Sequence, residues 1–178
     1  MALTDAQQER LDQRFKLYDT NGDGRIDRSD LHEEALRIVQ AFGEPEGSLK
    51  AQQLLNAYPM MFDHLVRKGG HGAGASLTKE QFRAIAEQEI LQHGQAGFAS
   101  VLRPSIQAMV ALCDTDGDGE VNPDEFDKWI NAISPGIDAK AAFQAIDTDG
   151  NGQLTIDELV AAVGRYHAGE TNAPLLGV

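Results

Sequence analysis

Only one cysteine, Cys113, occurs in 178 residues, so no disulfide can form within the chain. Positive charge is scarce as well: 15 Lys and Arg stand against 28 Asp and Glu, a formal charge of -13. A chain without a basic footprint is a poor ligand for nucleic acid or for an anionic membrane. No apolar run is long enough to span a bilayer, and the opening MALTDAQQERLDQRF has neither the basic patch nor the apolar stretch of a signal peptide. What is present is 42% hydrophobic residues, enough for one sizeable core or two small ones. A soluble, monomeric protein of a reducing compartment, the cytoplasm, is the expectation, and cations are its natural partners.

The acids are bunched. Half of them, 14 of 28, lie in three stretches of twelve residues: DTNGDGRIDRSD (Asp19 to Asp30), DTDGDGEVNPDE (Asp114 to Glu125) and DTDGNGQLTIDE (Asp147 to Glu158). Each carries an oxygen-bearing side chain at positions 1, 3, 5 and 9, Gly at 6, an aliphatic residue at 8 and an acid at 12, the spacing of an EF-hand calcium loop. Positions 1, 3 and 5 turn around one point, the backbone carbonyl of 7 adds an uncharged oxygen, and the acid at 12 returns from the first turn of the next helix. The candidate ligands are therefore Asp19, Asn21, Asp23, Arg25, Asp27 and Asp30; Asp114, Asp116, Asp118, Glu120, Asn122 and Glu125; and Asp147, Asp149, Asn151, Gln153, Thr155 and Glu158. Three Ca²⁺ are expected. Asp30 stands where a Glu would reach further, so Mg²⁺ is a possible occupant of Asp19 to Asp30. Ile26, Val121 and Leu154 at position 8 can pair as short strands between adjacent loops.

The flanks carry helical spacing. Before the loops come Leu11, Phe15 and Tyr18; Ile106, Met109, Val110 and Cys113; and Ala139, Ala142, Phe143 and Ile146. After them come Leu31, Ala35, Ile38 and Val39; Phe126, Trp129, Ile130 and Ile133; and Leu159, Ala162, Val163 and Tyr166. Only Arg14 breaks the apolar pattern. Units of this kind pair, so three implies a fourth, and aligning SLTKEQF on EVNPDEF finds it at Gly70 to Gln81. Its carboxylates are gone, with Gly70, Gly72, Gly74 and Gln81 where ligands belong, yet Phe62, Leu65 and Val66 before it and Phe82, Ile85, Ala86 and Ile90 after it keep the helical pattern. A glycine-rich phosphate cradle would need a Gly-Lys-Ser/Thr ending that is not there.

Four helix-loop-helix units, the second without ligands, resemble the bacterial calerythrins and the sarcoplasmic calcium-binding proteins. The resemblance implies an all-α fold in which two EF-hand pairs pack against each other in one compact globule. The first pair would span residues 1–93, the second 98–168, and an apolar tail 169–178, with HGQAG (His93 to Gly97) a bend between them. Cys113 falls on a core position, Trp129 and Phe126 share a core stripe, and His32, His64, His71, His93 and His167 lack metal-ligand spacing, which leaves them surface or cap roles. No residue set points to catalysis. Only four methionines are present, few for a sensor groove, so a calcium buffer or transporter is expected ahead of a sensor that regulates a partner protein. A luciferin-type small-molecule binder is the third reading, because such proteins share the four-unit fold; their photoprotein relatives end in proline, whereas this chain ends in Val178. In the tail, Leu175, Leu176 and Val178 are expected to lie in the groove between EF-hand helices.

Overall fold

Each helix begins at a residue that can hold its unpaired first-turn N–H groups. In the computed structural model, which describes residues 2–133 and 135–171, Thr4 and Gln7 cap each other reciprocally to start α1 (Asp5–Tyr18). Asp27 and Asp30 do the same for α2 (Arg28–Ala41), Thr78 and Gln81 for α4 (Lys79–Cys113), and Thr155 and Glu158 for α7 (Ile156–His167). Ser48 caps α3 (Leu49–Lys68) and Asp138 caps α6 (Ala139–Ile146). Pro123, whose missing N–H costs nothing in a first turn, opens α5 (Pro123–Ile133). Arg67 and Lys68 end α3, placing positive charge at the negative pole of the helix.

Short strands tie the loops together. β1 (Arg25–Ile26) runs antiparallel to β2 (Leu77–Thr78), with Ile26 opposite Leu77. Val121 and Leu154 exchange backbone hydrogen bonds of 2.9 and 2.8 Å in the other half. The expected pairing of position 8 residues is thus observed, and Leu77 takes part although its loop has no acids. All four side chains are buried.

The apolar positions read from the helical spacing are buried wherever they are described, and they join into one core. The side chains of Ile90 and Ile133 and the whole of Asn172 to Val178, including Leu175, Leu176 and Val178, lie outside the described residues. Phe126 packs edge-on against Trp129 and Phe143, each with ring centroids 5.7 Å apart. Phe15 and Tyr18 meet Phe82 on the other side. Helix α4 joins the halves and is broken inside HGQAG, where Gly94 takes φ 63° and ψ -167°. A side chain is strained at that φ, which is why the bend falls on a glycine. Contacts between α2 and α5 and between α1 and α7 close the two halves on each other. Lys50, on α3, adds a hydrogen bond of 3.0 Å to the Asp114 carbonyl.

Two buried polar residues bear on the sequence reading. Arg14, the residue that breaks the apolar pattern, is buried with that pattern: it is 5% exposed, with Nη1 3.4 Å from the Tyr18 hydroxyl and its guanidinium 5.4 Å from the centre of that ring. The other departs from expectation. His167 is no surface or cap residue but is buried, and its Nδ1 donates to the Val163 carbonyl at 2.9 Å. Burial pushes the imidazole pKa down to about 3, with Arg14 and Arg10 acting in the same direction and the Val163 bond against it. Cys113 is buried as expected, its thiol pushed well up by burial and by the charges of Glu125 and Asp114.

Candidate metal centres

Each acid loop begins where a helix runs out. Asp19, Asp114 and Asp147 are the C-caps of α1, α4 and α6, and their N–H groups still bond back to Phe15, Val110 and Phe143 at 2.9, 2.8 and 2.9 Å. Their carboxylates fold into the loop instead. In all three, the N–H of the glycine at position 6 donates to the position 1 carboxylate: Gly24 to Asp19 at 2.9 Å, Gly119 to Asp114 at 2.8 Å and Gly152 to Asp147 at 2.9 Å. That N–H is brought round because these glycines sit at φ 82°, 80° and 81°.

The next side chains repeat the turn. Asn21, Asp116 and Asp149 at position 3 accept from the N–H at position 5, at 2.9, 3.1 and 3.1 Å. Asp23, Asp118 and Asn151 at position 5 accept from Arg25, Glu120 and Gln153 at position 7, at 2.9, 2.8 and 2.9 Å. Two of the position 7 side chains go elsewhere. Arg25 Nε reaches Ser76 in the silent loop at 2.7 Å, and Gln153 Nε2 reaches Asp118 in the neighbouring loop at 3.2 Å. At position 9, Asp27, Asn122 and Thr155 accept from the N–H of Asp30, Glu125 and Glu158, at 3.1, 3.0 and 3.1 Å. The acids at 12 return the bond, accepting from the position 9 N–H at 2.9, 3.0 and 3.0 Å.

Carboxylates converge unequally. Asp114, Asp116 and Asp118 each place an oxygen within 4.8 Å of the others, as do Asp147, Asp149 and Glu158. Among the described residues, Asp19, Asp23 and Asp30 form no such group, and Glu125 stands apart from the three aspartates of its loop. Burial raises the Asp114 carboxyl, but the N–H groups of Gly119 and Gly117 outweigh it and the net shift is downward. Asp27 is held down first by the Ser29 hydroxyl. Asp30 moves up, because burial outweighs the Asp27 and Thr20 hydrogen bonds. The donors throughout are hard oxygens, which fit Ca²⁺ or Mg²⁺ and not a thiophilic metal.

Loop 2 keeps the frame without the donors. Its incoming helix ends on Gly69, so the interval from cap to strand, Gly69 to Leu77, is one residue longer than Asp19 to Ile26. Thr78 and Gln81 still close the outgoing helix as a capping box.

A family model described as an EF-hand domain pair matches residues 8–131, and an EF-hand domain model matches residues 138–166. The chain belongs to the EF-hand family of calcium-binding proteins. Calerythrin from Saccharopolyspora erythraea is 40% identical over 170 residues, 95% of this chain and 96% of that protein. The luciferin-binding protein of Renilla reniformis is 30% identical over 156 residues, 86% of this chain and 81% of its own length. A solved calcium-binding protein of Streptomyces coelicolor, described in terms of calcium-mediated regulation, superposes with a TM-score of 0.78 at 29% identity, covering 93% of this chain and 99% of that one. The chain is thus a calcium-binding EF-hand protein similar to calerythrin. Its family is a calcium-binding one, not an enzymatic one. No helix among the described residues is long and apolar enough to cross a membrane.

Two features of these EF-hands lie beyond the position-by-position ligand reading. Glycines at position 4, Gly22, Gly117 and Gly150, also sit at positive φ, 71°, 79° and 69°. Position 2 is threonine in all three acid loops, as Thr20, Thr115 and Thr148. The repeated D-T-(N/D)-G opening was the visible signal for both.

Proposed function

We propose that the protein is a monomeric cytoplasmic calcium buffer or transporter that holds three Ca²⁺. The ligands would be Asp19, Asn21, Asp23, Asp27 and Asp30 with the Arg25 carbonyl; Asp114, Asp116, Asp118, Asn122 and Glu125 with the Glu120 carbonyl; and Asp147, Asp149, Asn151, Thr155 and Glu158 with the Gln153 carbonyl. The observation that carries the buffer reading is the closed interior of the second half: Met109, the methionine beside an acid loop, is buried in one continuous core, so that half offers no methionine groove to a target. The central space lined by Arg14, Tyr58, Met109 and Trp129 is about 10 Å³. That is room for about one water, whereas small-molecule pockets run to roughly 300–1,000 Å³. The luciferin-type reading gains no support from it.

One observation favours the sensor reading. Between α3 and the second half of α4 lies an open cleft of about 720 Å³, lined by Ala57, Met60, Val101 and Pro104, with Met60 63% exposed. Fluorescence of an apolar dye, with and without calcium, separates the two. A buffer is expected to give a signal that does not rise when calcium is added. A signal that rises with calcium and disappears in Met60→Glu would replace the buffer with a sensor.

Loop 1 is proposed as the weakest calcium site and the most open to Mg²⁺. Asp is one methylene shorter than Glu and tends to give one oxygen, lowering the ligand count toward the six that Mg²⁺ accepts. Asp30→Glu is expected to raise calcium selectivity at that loop, read by competition titration with Mg²⁺. Unchanged calcium binding with persistent magnesium competition would discard the reach argument.

A further inference from the structure

The threonine at position 2 supplies no ligand in the scheme above, yet it reaches the acid at position 12 in every acid loop. Thr20 Oγ1 is 2.9 Å from Asp30 Oδ1, Thr115 Oγ1 is 2.8 Å from Glu125 Oε1, and Thr148 Oγ1 is 3.4 Å from Glu158 Oε1. The second oxygen of each acid accepts from the N–H at position 9. Both oxygens of the residue that must close the loop are thereby held from opposite ends. The silent loop has His71 at the corresponding place.

We propose that Thr20, Thr115 and Thr148 are positioning residues that preset the closing carboxylate for the ion; the proposal rests on the three-ion reading. An ionised carboxylate has about four acceptor sites, so hydroxyl, N–H and cation can share it. A carboxylate already held by donors loses less freedom when the metal arrives, and removing such outer-shell partners typically costs 10- to 100-fold in metal affinity.

The three clamps differ, and the differences rank the sites. Glu125 Oε1 receives two bonds from one residue, because the Thr115 N–H also donates, at 2.7 Å. The Thr148 hydroxyl is at the long limit of a hydrogen bond. The Thr20 hydroxyl has a single proton but two acceptors, Asp30 at 2.9 Å and Glu33 Oε2 at 3.0 Å, so it serves Asp30 only part of the time. Loss of the threonine hydroxyl should therefore weaken calcium most at Asp114 to Glu125 and less at the other two loops.

The test uses the full chain and residue-resolved NMR during calcium titration. Thr115→Val, which keeps the branched shape and loses the hydroxyl, is expected to weaken calcium at that loop about tenfold, and Thr115→Ser to restore it. Thr148→Val should weaken its own loop less. In chelated protein, the Asn122 amide, which donates to the other oxygen of Glu125, should exchange faster in Thr115→Val than in wild type. Equal or tighter calcium binding by Thr115→Val, or a serine variant as impaired as the valine one, would overturn the clamp while leaving three ions bound. A wild-type chain that takes no calcium at Asp114 to Glu125 would overturn the three-ion reading and the clamp with it.

Discussion

Chelation should remove most of the stability of this chain. A site at free calcium 1,000 times its dissociation constant stabilises the folded state by about 4 kcal/mol, so three such sites approach the roughly 5–15 kcal/mol that holds a whole domain folded. Part of that gain is relief of repulsion, because three divalent ions add six positive charges and take the formal charge from -13 to -7. The unfolding midpoint measured with and without chelator is expected to differ by roughly 20 °C or more, taking about 2–4 °C per kcal/mol for a chain of this size. Calorimetric titration should give three ions. NMR should place them at the acid loops and leave Gly70 to Gln81 reporting only the movement of its strand partner. A fourth ion, or the same midpoint in both conditions, would end the three-ion reading.

The silent loop is retained in such an arrangement for a mechanical reason. β2 has no acids behind it, but Leu77 lies against Ile26 and the Arg25 side chain crosses to Ser76. On the three-ion reading, one ion in loop 1 would order both units of the first half, and two ions would order the second. Apolar burial and strand pairing do for loop 2 what metal would do for the others, and neither needs a carboxylate.

How legible this was depended on how local each feature is. Acids at 1, 3, 5 and 12 lie within one turn of chain, and apolar residues at i, i+3 and i+4 share a helical face by geometry alone. The loops, their pairing and the buried stripes could thus be read directly. Gly94 was legible because a break in a helix needs a residue that tolerates positive φ. The surroundings of Arg14 were not: the helical pattern puts position 14 on the buried face, but no periodicity states that the Tyr18 ring will lie under the charge or that Glu34 will be near enough to sense it. His167 is the same case: its carbonyl partner is one turn back, but the apolar surroundings that depress its pKa come from the fold. The Thr115–Glu125 contact was hidden for the opposite reason. Its partners are near in sequence, but a reading that assigns each position one ligand role gives position 2 nothing to do.

Glu34→Ala is expected to be among the most destabilising single changes in the protein, and Arg14→Met among the mildest for a buried charge. Glu34 on α2 is 1% exposed and ion-paired with Arg37, whose side chain is 50% exposed. Burial pushes the Glu34 carboxyl up, and Arg37 and then Arg14 pull it back toward the charged form. The three charges are unequal in what they can recover if left alone. Removing Glu34 strands Arg14, whose Nη2 has no hydrogen-bond partner among the described residues, in a place where water cannot replace the lost anion. Arg14 makes no direct ion pair with Glu34 and senses it only through its field, and leaving a buried charge uncompensated costs up to about 3–5 kcal/mol. Removing Arg14 leaves Glu34 with Arg37, and a methionine of similar length can fill the space beside Tyr18, Tyr58 and Trp129 where the helical pattern of α1 asks for an apolar residue. Such swaps of buried charge for apolar bulk are often neutral or stabilising. Urea unfolding at one saturating calcium concentration should therefore give a large fall in midpoint for Glu34→Ala and a small shift of either sign for Arg14→Met. The double variant should recover a good part of the Glu34→Ala loss, because the stranded charge is then gone. Equal losses in the two single variants with simple additivity in the double would mean that Arg14 and Glu34 do not sense each other, and that Arg14 is held instead by the face of Tyr18.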